Sequence, residues 1–455
     1  MKTSIWISAA LFTLMAQAPQ AAIAAPVTHS PRPEARPEFP PSGSHPTGPV
    51  VVAAATAPRT ALRPAVRPAN LGEATPIRAS GKDVGLWNWI NGLRPRAAAA
   101  GILPQVFDAS FAGVRYDPRI IALDRNQAEF SKQIWEYLDS AVSAQRVSNG
   151  RAALARHGTA LNRIEARYGV EKEVVTAIWG LESAYGAARG KSPLIESLAT
   201  LAYDGRRGAF FEEELIAALK IVQAGDVSPR AMTGSWAGAM GHTQFMPSSY
   251  LSYAVDFNGD GRRDIWSDDP TDALASTAAY LAHFGWKQGQ PWGVEVRLPA
   301  NFDPARARRD VMRNPSAWAA EGIGDMTGRA VPNYGKASIL LPAGSSGPAF
   351  MIFDNFSVIE RYNKANSYVI GVGHLSDRLR GEPGIQTPWP RHYRAISAGQ
   401  KREIQNRLRS RGFSVEKIDG LIGPNTIDAI RAFQRSAGLR ADGYPSHDLL
   451  KALGG

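Results

Sequence analysis

Apolar residues recur at steps of three and four through the middle of the chain, a period that predicts helices over residues 127–142, 152–168, 171–185, 211–224 and 272–284. Turns rich in Gly and Pro separate them. The dense apolar pattern begins with Leu86, Trp87, Trp89, Ile90 and Leu93 and runs to about Arg380. It contains no alternation of strands and helices around Gly-rich phosphate loops, so a nucleotide-binding sheet is not expected. A second helical stretch, over 400–411, 425–437 and 446–453, sets Ile427, Ile430 and Phe433 at core spacing. It forms a unit of about sixty residues, near the lower size limit for folding alone. Residues 381–396, with Pro383, Pro388 and Pro390, read as a linker. The expected fold is mainly α: a body over 83–380 followed by a small three-helix module over 397–453.

Ahead of the body the pattern changes twice. Lys2, the apolar run 5–15 and the small residues through Ala22-Ile23-Ala24 carry the charged, apolar and cleavage regions of a secretory signal over 1–25. The run is too short to span a bilayer comfortably, and an uncleaved anchor is the alternative. Residues 26–82 hold twelve prolines and one aromatic, Phe39, so they cannot bury enough apolar surface to offset ordering entropy and read as an extended tether. Of all 455 residues 44% are hydrophobic and 20% charged, values of a globular chain and not of a polytopic membrane protein. Cysteine is absent, which excludes disulfides, thiol nucleophiles, cysteine-held metals and a lipid-modified cysteine. The expectation is export to the periplasm, with no stable membrane insertion once the signal is cleaved. A net charge of +11 favours an anionic partner, although its sign alone does not choose between nucleic acid, membrane and acidic wall polymer. No nucleic-acid motif accompanies it.

Candidate chemistry starts in EKEVVTAIWGLESAYG. Val175, Ile178 and Glu182 lie at i, i+3 and i+7, which sets a carboxyl at the edge of an apolar helix face, and Gly186 offers the stop. Desolvation among Trp179, Leu181 and Tyr185, with the negative end of the helix dipole, should raise its pKa. An acid still protonated near neutral pH is what cleavage of a glycosidic bond requires. The alternative is an acid at a helix end paired with Arg189. Downstream, GSWAGAMGHTQFMPSSY (234–250) is dense in glycine and alanine, which lets backbone approach a ligand closely, and intersperses Ser235, His242, Thr243 and Gln244.

Together, WGLESAYG and GSWAGAMGHTQFMPSSY resemble the lysozyme-like lytic murein transglycosylases of the membrane-bound transglycosylase B family, and LAYDGRRGAFFEEEL and RYNKANSY extend the likeness over roughly 83–380. The resemblance implies a lysozyme-like fold with Glu182 as the single catalytic acid. It implies that Ser235 and Gln244 hold sugar N-acetyl groups and ring hydroxyls, and that Arg206 and Arg207 lie in the groove of the anionic peptide stems. Tyr362 and Tyr368 would line the cleft floor; core aromatics with satisfied hydroxyls are the alternative. The implied reaction cleaves the bond from N-acetylmuramic acid to N-acetylglucosamine without water and leaves a 1,6-anhydro end, with no cofactor for catalysis. A hydrolytic muramidase on the same fold and a non-catalytic wall-binding protein are the competing readings. The segment IDGLIGPNTIDAIRAFQRSAGLRADG resembles the peptidoglycan-binding domain type 1, and glycan strands are its expected partner. Other cell-wall enzymes are further candidate partners.

DFNGDGRRDIW places side-chain oxygens at loop positions 1, 3, 5 and 9 (Asp256, Asn258, Asp260, Asp264) with Gly261 at the sixth, the start of an EF-hand calcium loop. Arg262 would contribute its backbone carbonyl. Ser267 replaces the closing glutamate at position 12, so closure must come from further along. The resemblance points to Asp272, with Asp268 or Asp269 as alternatives. A structural Ca2+ is expected, against a hydrogen-bonded turn without an ion.

Overall fold

The helix Lys172–Ser183 is the axis of the body: every residue from Val174 to Ser183 is buried, and only Thr176, Glu182 and Ser183 among these are polar. A helix with apolar residues on all its sides has to be surrounded. In this computed structural model, which describes residues 83–126 and 132–454, Ala144–Arg156, Gly158–Tyr168, Thr271–His283 and Asn366–Arg380 pack around it. Val175 and Ile178 are fully buried there, each contributing about 1.5–3 kcal/mol on the area scale. The expected signal over 1–25, the tether over 26–82 and the start of the 127–142 helix lie outside the described residues.

The described chain is mainly helical, as its periodicity predicts. The 152–168 pattern belongs to two helices, Ala144–Arg156 and Gly158–Tyr168. They meet at His157, whose backbone (φ −107°, ψ 17°) leaves the helical region and whose ring sits edge-on to Trp179 at 5.4 Å. The helical body also holds a four-stranded antiparallel sheet in the order Gly324–Asp325, Gly293–Arg297, Ala349–Ile352, Ser338–Leu340. Gly293 is in register with Ile352, and Ser338 with the same residue from the other side. The sheet covers its own core of Val296, Phe302, Trp318, Ile323, Ile339 and Met351. Strands of two to five residues are too short to print a period of two on the sequence, so the helical pattern masks them.

The C-terminal module forms from the predicted helices, now Ala398–Ser410, Pro424–Ser436 and His447–Ala452, around Ile404, Leu408, Ile430, Phe433 and Leu449. Ser397 and Gln400 make a capping box, and Ser446 caps the last helix through Leu449 N–H at 3.0 Å. Residues 381–396 hold no helix or strand, yet the body pins them. Glu295 accepts the N–H groups of Gln386 and Thr387 at 2.8 and 2.7 Å, Trp389 lies 6.2 Å from Trp135, and Arg391 grips Asp139 with two bonds of 2.8 Å. The module docks too, through Asp428 to Arg308 at 2.9 Å, Arg431 to the Ala307 carbonyl at 2.9 Å and Ser345 N–H to Asp442 at 3.0 Å. Among the described residues no helix is long and apolar enough to cross a membrane.

The module's core is small, so one truncation should be felt there alone. Ile430→Ala leaves a cavity at a fully buried site and should cost about 2–5 kcal/mol. Calorimetry should then resolve an early transition for the module with the body's transition unmoved; a uniform shift of both would show that module and body unfold as one.

Candidate active site

The Glu182 helix stops sooner than its sequence suggests. Ala184 (φ 51°) and Tyr185 (φ 60°) turn into the left-handed region before Gly186 (φ 85°) does, at a strain of roughly 1–3 kcal/mol for each non-glycine residue. Surrounding groups hold this turn. Tyr185 donates its hydroxyl to the Arg146 carbonyl at 2.8 Å, Ser183 donates to the His242 carbonyl, and Gly186 N–H returns a bond to Ser183 Oγ at 3.0 Å. Only glycine fits at 186, since a Cβ there would lie 2.6 Å from His242 Nδ1.

Inside that turn Glu182 is 5% exposed, and Tyr368 donates its hydroxyl to Glu182 Oε1 at 2.6 Å. Burial pushes the carboxyl up to about 8; the tyrosine bond, which favours the ionised form, pulls the other way. At neutral pH the group therefore keeps its proton. The pairing with Arg189 does not form: that guanidinium is engaged with the carbonyls of Trp266 (3.1 Å) and Ser267 (2.6 Å) and with Asp268 (2.7 Å). Tyr362 stacks on Tyr368 at 6.5 Å and 10° and donates to the Thr243 carbonyl at 2.6 Å. Both phenols are buried and bonded, as core aromatics with satisfied hydroxyls would be, and one of them touches the carboxyl. Burial raises their pKa values well above the ordinary phenol, and the nearby Glu182 charge adds to it. Tyr137 joins them, its pKa raised by burial and next by Glu182, and its ring faces Gly371 on the Tyr368 helix. No motif marks it in the sequence.

Beside this group the glycine-rich run folds back on itself. Thr233–Gly234 pairs with Ser192–Pro193, and Gly190 (φ 86°) passes so close that a Cβ would lie 2.1 Å from the Gly234 carbonyl. Ser235 closes the next turn, donating its N–H to the Ala239 carbonyl at 2.7 Å and accepting Ala239 N–H on Oγ at 3.0 Å. Gln244, at φ 54°, donates to the carbonyls of Arg189 (3.0 Å) and Gly241 (2.8 Å). His242 joins the run to the Glu182 helix: its Nδ1 accepts from Trp179 Nε1 at 3.1 Å, and its Nε2 lies 2.8 Å from the Ser267 carbonyl. Burial lowers its pKa and keeps it neutral, which that acceptor role requires.

Arg206 and Arg207 stand apart from these residues. They follow the helix Leu194–Asp204, whose 11 residues span about 16 Å, while Ser235 adjoins the strand pair at its start. Both lean on one buried carboxylate, Asp124, at 2.6 Å from Arg206 and 3.5 Å from Arg207. Asp124 lies some 80 positions upstream, in a stretch without motif character.

In the candidate calcium loop the side chains bond to the loop's own amides. Asp256 accepts from Gly259 (2.7 Å) and Gly261 (2.8 Å), Asn258 from Asp260 (2.9 Å), and Asp260 from Arg262 (2.9 Å). Asp272 is 1% exposed and faces the loop, taking N–H bonds from Phe257, Asn258 and Asp264 at 2.9–3.2 Å. The alternatives face elsewhere, Asp268 toward Arg189 and Asp269 toward Thr271. Hard oxygens on one turn suit Ca2+, although Asp256 Oδ1 and Asp272 Oδ1 each already accept two N–H bonds. Among the described residues, however, no three His, Asp or Glu side chains already converge on one point.

Residues 85–377 match the transglycosylase SLT domain family, and residues 398–453 match the peptidoglycan binding domain family. Membrane-bound lytic murein transglycosylase B of Escherichia coli (strain K12) is 34% identical over 245 residues, which is 53% of this chain and 66% of that protein. Among solved structures, SltB3 from Pseudomonas aeruginosa in complex with NAG-anhNAM-pentapeptide is 46% identical with a TM-score of 0.80, covering 82% of this chain and 100% of that one. Escherichia coli lytic transglycosylase Slt35 in complex with calcium is 29% identical with a TM-score of 0.56, covering 66% of this chain and 93% of that one.

The buried carboxyl has a thermodynamic signature. Its folded pKa of about 8 lies above the ordinary 4.5, so between those values the unfolded chain binds fewer protons and stability falls as pH rises. Glu182→Gln removes this dependence, worth at most about 1.4 kcal/mol per pH unit. The melting temperature of the variant should match the parent near pH 4 and exceed it increasingly toward pH 8. A constant difference across that range would mean that Glu182 is ionised in the fold.

Proposed function

From the premise that this chain belongs to the transglycosylase SLT family, we propose that it cleaves peptidoglycan as a lytic transglycosylase with Glu182 serving first as acid and then as base. The observation that carries the reading is the burial of the Glu182 carboxyl under the Tyr368 hydroxyl, which pushes its pKa up to about 8. Glu182 gives its proton to the oxygen linking N-acetylmuramic acid to N-acetylglucosamine as that bond breaks, and the muramic acetamido oxygen stabilises the anomeric carbon. The resulting carboxylate keeps the Tyr368 bond, which favours the charged state. It then takes the proton of the 6-hydroxyl while O6 closes on the anomeric carbon. A 1,6-anhydro end results, Glu182 is reprotonated, and no water is consumed. One residue thus fills roles that hydrolytic glycosidases divide between two carboxylates.

Ser235 and Gln244 would hold the sugar beside the acid, Tyr362 and Tyr368 would floor the cleft, and Arg206 and Arg207 would meet the peptide stems. Their support is position: Ser235 and Gln244 lie in the run that His242 joins to the Glu182 helix, and the arginines lie half-exposed at the far end of an adjoining helix. Peptidoglycan is anionic through its stems and lactyl groups, so a net charge of +11 concentrates it. The module over 397–453 adds a second contact with glycan strands and raises effective concentration at the wall. We place the body at 83–380, the linker at 381–396 and the site of action in the periplasm, reached through the signal over 1–25 and the tether over 26–82; the two family matches and the wall substrate support this arrangement. The loop of Asp256, Asn258, Asp260, the Arg262 carbonyl and Asp272 would take a structural Ca2+, a reading supported by its hard-oxygen donors and by the calcium complex of the similar E. coli enzyme.

Two experiments test these assignments. Glu182→Gln should retain sugar binding and lose at least about 100- to 10,000-fold in turnover of purified murein. Wild-type muropeptides should weigh in as anhydro ends; reducing ends one water heavier would make the protein a muramidase. Calcium should raise the melting temperature of the full chain over that measured in chelator, and Asp260→Ala should abolish the increment. Coincident curves would leave the loop a hydrogen-bonded turn.

A further inference from the structure

Two bonds fix the state of the buried His242 ring. The indole N–H of Trp179 can only donate and reaches Nδ1 at 3.1 Å, while the Ser267 carbonyl can only accept and lies 2.8 Å from Nε2. The ring is therefore neutral, with its proton on Nε2. Arg189 Nη1 stands 3.2 Å from that nitrogen and donates instead to the carbonyls of Trp266 and Ser267. The main chain of His242 is held as well: its N–H donates to the Ile265 carbonyl at 3.1 Å, and its carbonyl accepts the Ser183 hydroxyl. Trp179 and Ser183 flank Glu182 on its own helix. The His157 and Tyr185 rings meet Trp179 edge-on at 5.4 and 5.8 Å, so the indole has little freedom of its own. The two residues after His242 reach the same centre. Thr243 takes the Tyr362 hydroxyl on its carbonyl, Tyr362 stacks on the Tyr368 that bonds Glu182, and Gln244 is the sugar-holding candidate.

We propose that His242 is a positioning residue for the reaction, its imidazole keeping the helix of the acid in register with the run that carries Gln244, so that Glu182 meets the glycosidic oxygen of a sugar held there. This rests on the assignment of Glu182 to proton transfer and of Gln244 to the sugar. Acid and sugar-holding residue sit on separate segments, and proton transfer tolerates little error between them: a displacement of about 1 Å can cost about 100-fold in rate. The two ring nitrogens divide the task. Nδ1 faces the acid's helix and takes the Trp179 N–H, while Nε2 anchors the ring from behind on Ser267, whose own N–H is held by Asp264 at 3.1 Å. That anchor fixes the tautomer and hence leaves Nδ1 free to accept. Gly186 supplies the room, since a Cβ there would lie 2.6 Å from Nδ1.

The test separates the two nitrogens in the full chain, with soluble glycan oligomers as substrate and melting temperatures measured alongside. His242→Gln sets an amide N–H where Nε2 stands and leaves the indole without its acceptor; kcat should fall about 10- to 100-fold while KM stays within about three-fold. His242→Asn sets an amide oxygen where Nδ1 stands and gives up the Ser267 bond; it should recover most of that loss, to within about five-fold of the parent kcat, even where its melting temperature is the lower of the two. Equal losses in both variants, or losses that follow the melting temperature, would make His242 a structural residue only. A rise in KM with kcat unchanged would place the ring in binding and equally overturn the proposal. Should neither variant fold, the parent chain labelled with 15N-histidine still decides: one imidazole should be held as the Nε2–H tautomer at neutral pH, and its assignment to His242 as an imidazolium or an Nδ1–H tautomer would sink the idea. Glu182→Gln tests the reading beneath. If it retains turnover, the acid assignment fails and the proposal with it; if it is inactive while His242→Gln works at the parent rate, only the role given to His242 fails.

Discussion

A carboxyl withdrawn from water at the end of an almost wholly buried helix is the constraint on which the rest of this structure depends. Desolvation keeps the Glu182 proton in place at neutral pH, and desolvation requires that the helix be packed on every side. The surrounding helices serve that requirement, and so does the turn that ends the Glu182 helix in two left-handed non-glycine residues. Such backbone is costly by itself. It persists because Tyr185, Ser183, Gly186 and His242 each hold it from a different direction.

Tyr368 gives this arrangement two-way character. Burial favours the neutral acid and the phenolic hydrogen bond favours the carboxylate, so neither state of Glu182 is out of reach of the other. The acid-then-base role proposed for Glu182 needs that balance. A carboxyl buried without a partner would donate poorly, and one clamped by an arginine would not hold its proton. The engagement of Arg189 with the carbonyls of Trp266 and Ser267 and with Asp268 matters for this reason.

Charge is handled differently away from the acid. The arginines beyond the next helix are neutralised in part from below by Asp124, and the module is attached through a few charged and polar contacts. The linker between body and module follows the same economy: with no regular structure, it is fixed by Glu295, Trp135 and Asp139. A chain of net charge +11 thereby keeps a basic surface for an anionic polymer, while the buried Asp124 and Arg431 each face a group of opposite charge.

What the sequence determined by itself was whatever depends on neighbours along the chain. The 3.6-residue period laid out the helices, the Pro and Gly turns separated body from module, and the spacing set Glu182 at the edge of an apolar face, without choosing between an acid and a partner of Arg189. The resemblance carried by WGLESAYG and the glycine-rich run supplied the remaining candidates. Tertiary structure alone decided the rest. The sheet was hidden because strands of two to five residues have no readable period, and the early end of the Glu182 helix arose from contacts that override the glycine signal. Tyr368 lies 186 positions from Glu182, Asp124 lies 82 from Arg206, and Tyr137 carries no motif at all. Periodicity and turn chemistry act between residues a few positions apart, whereas desolvation and ion pairing exist only after folding has brought distant segments within about 3 Å of each other.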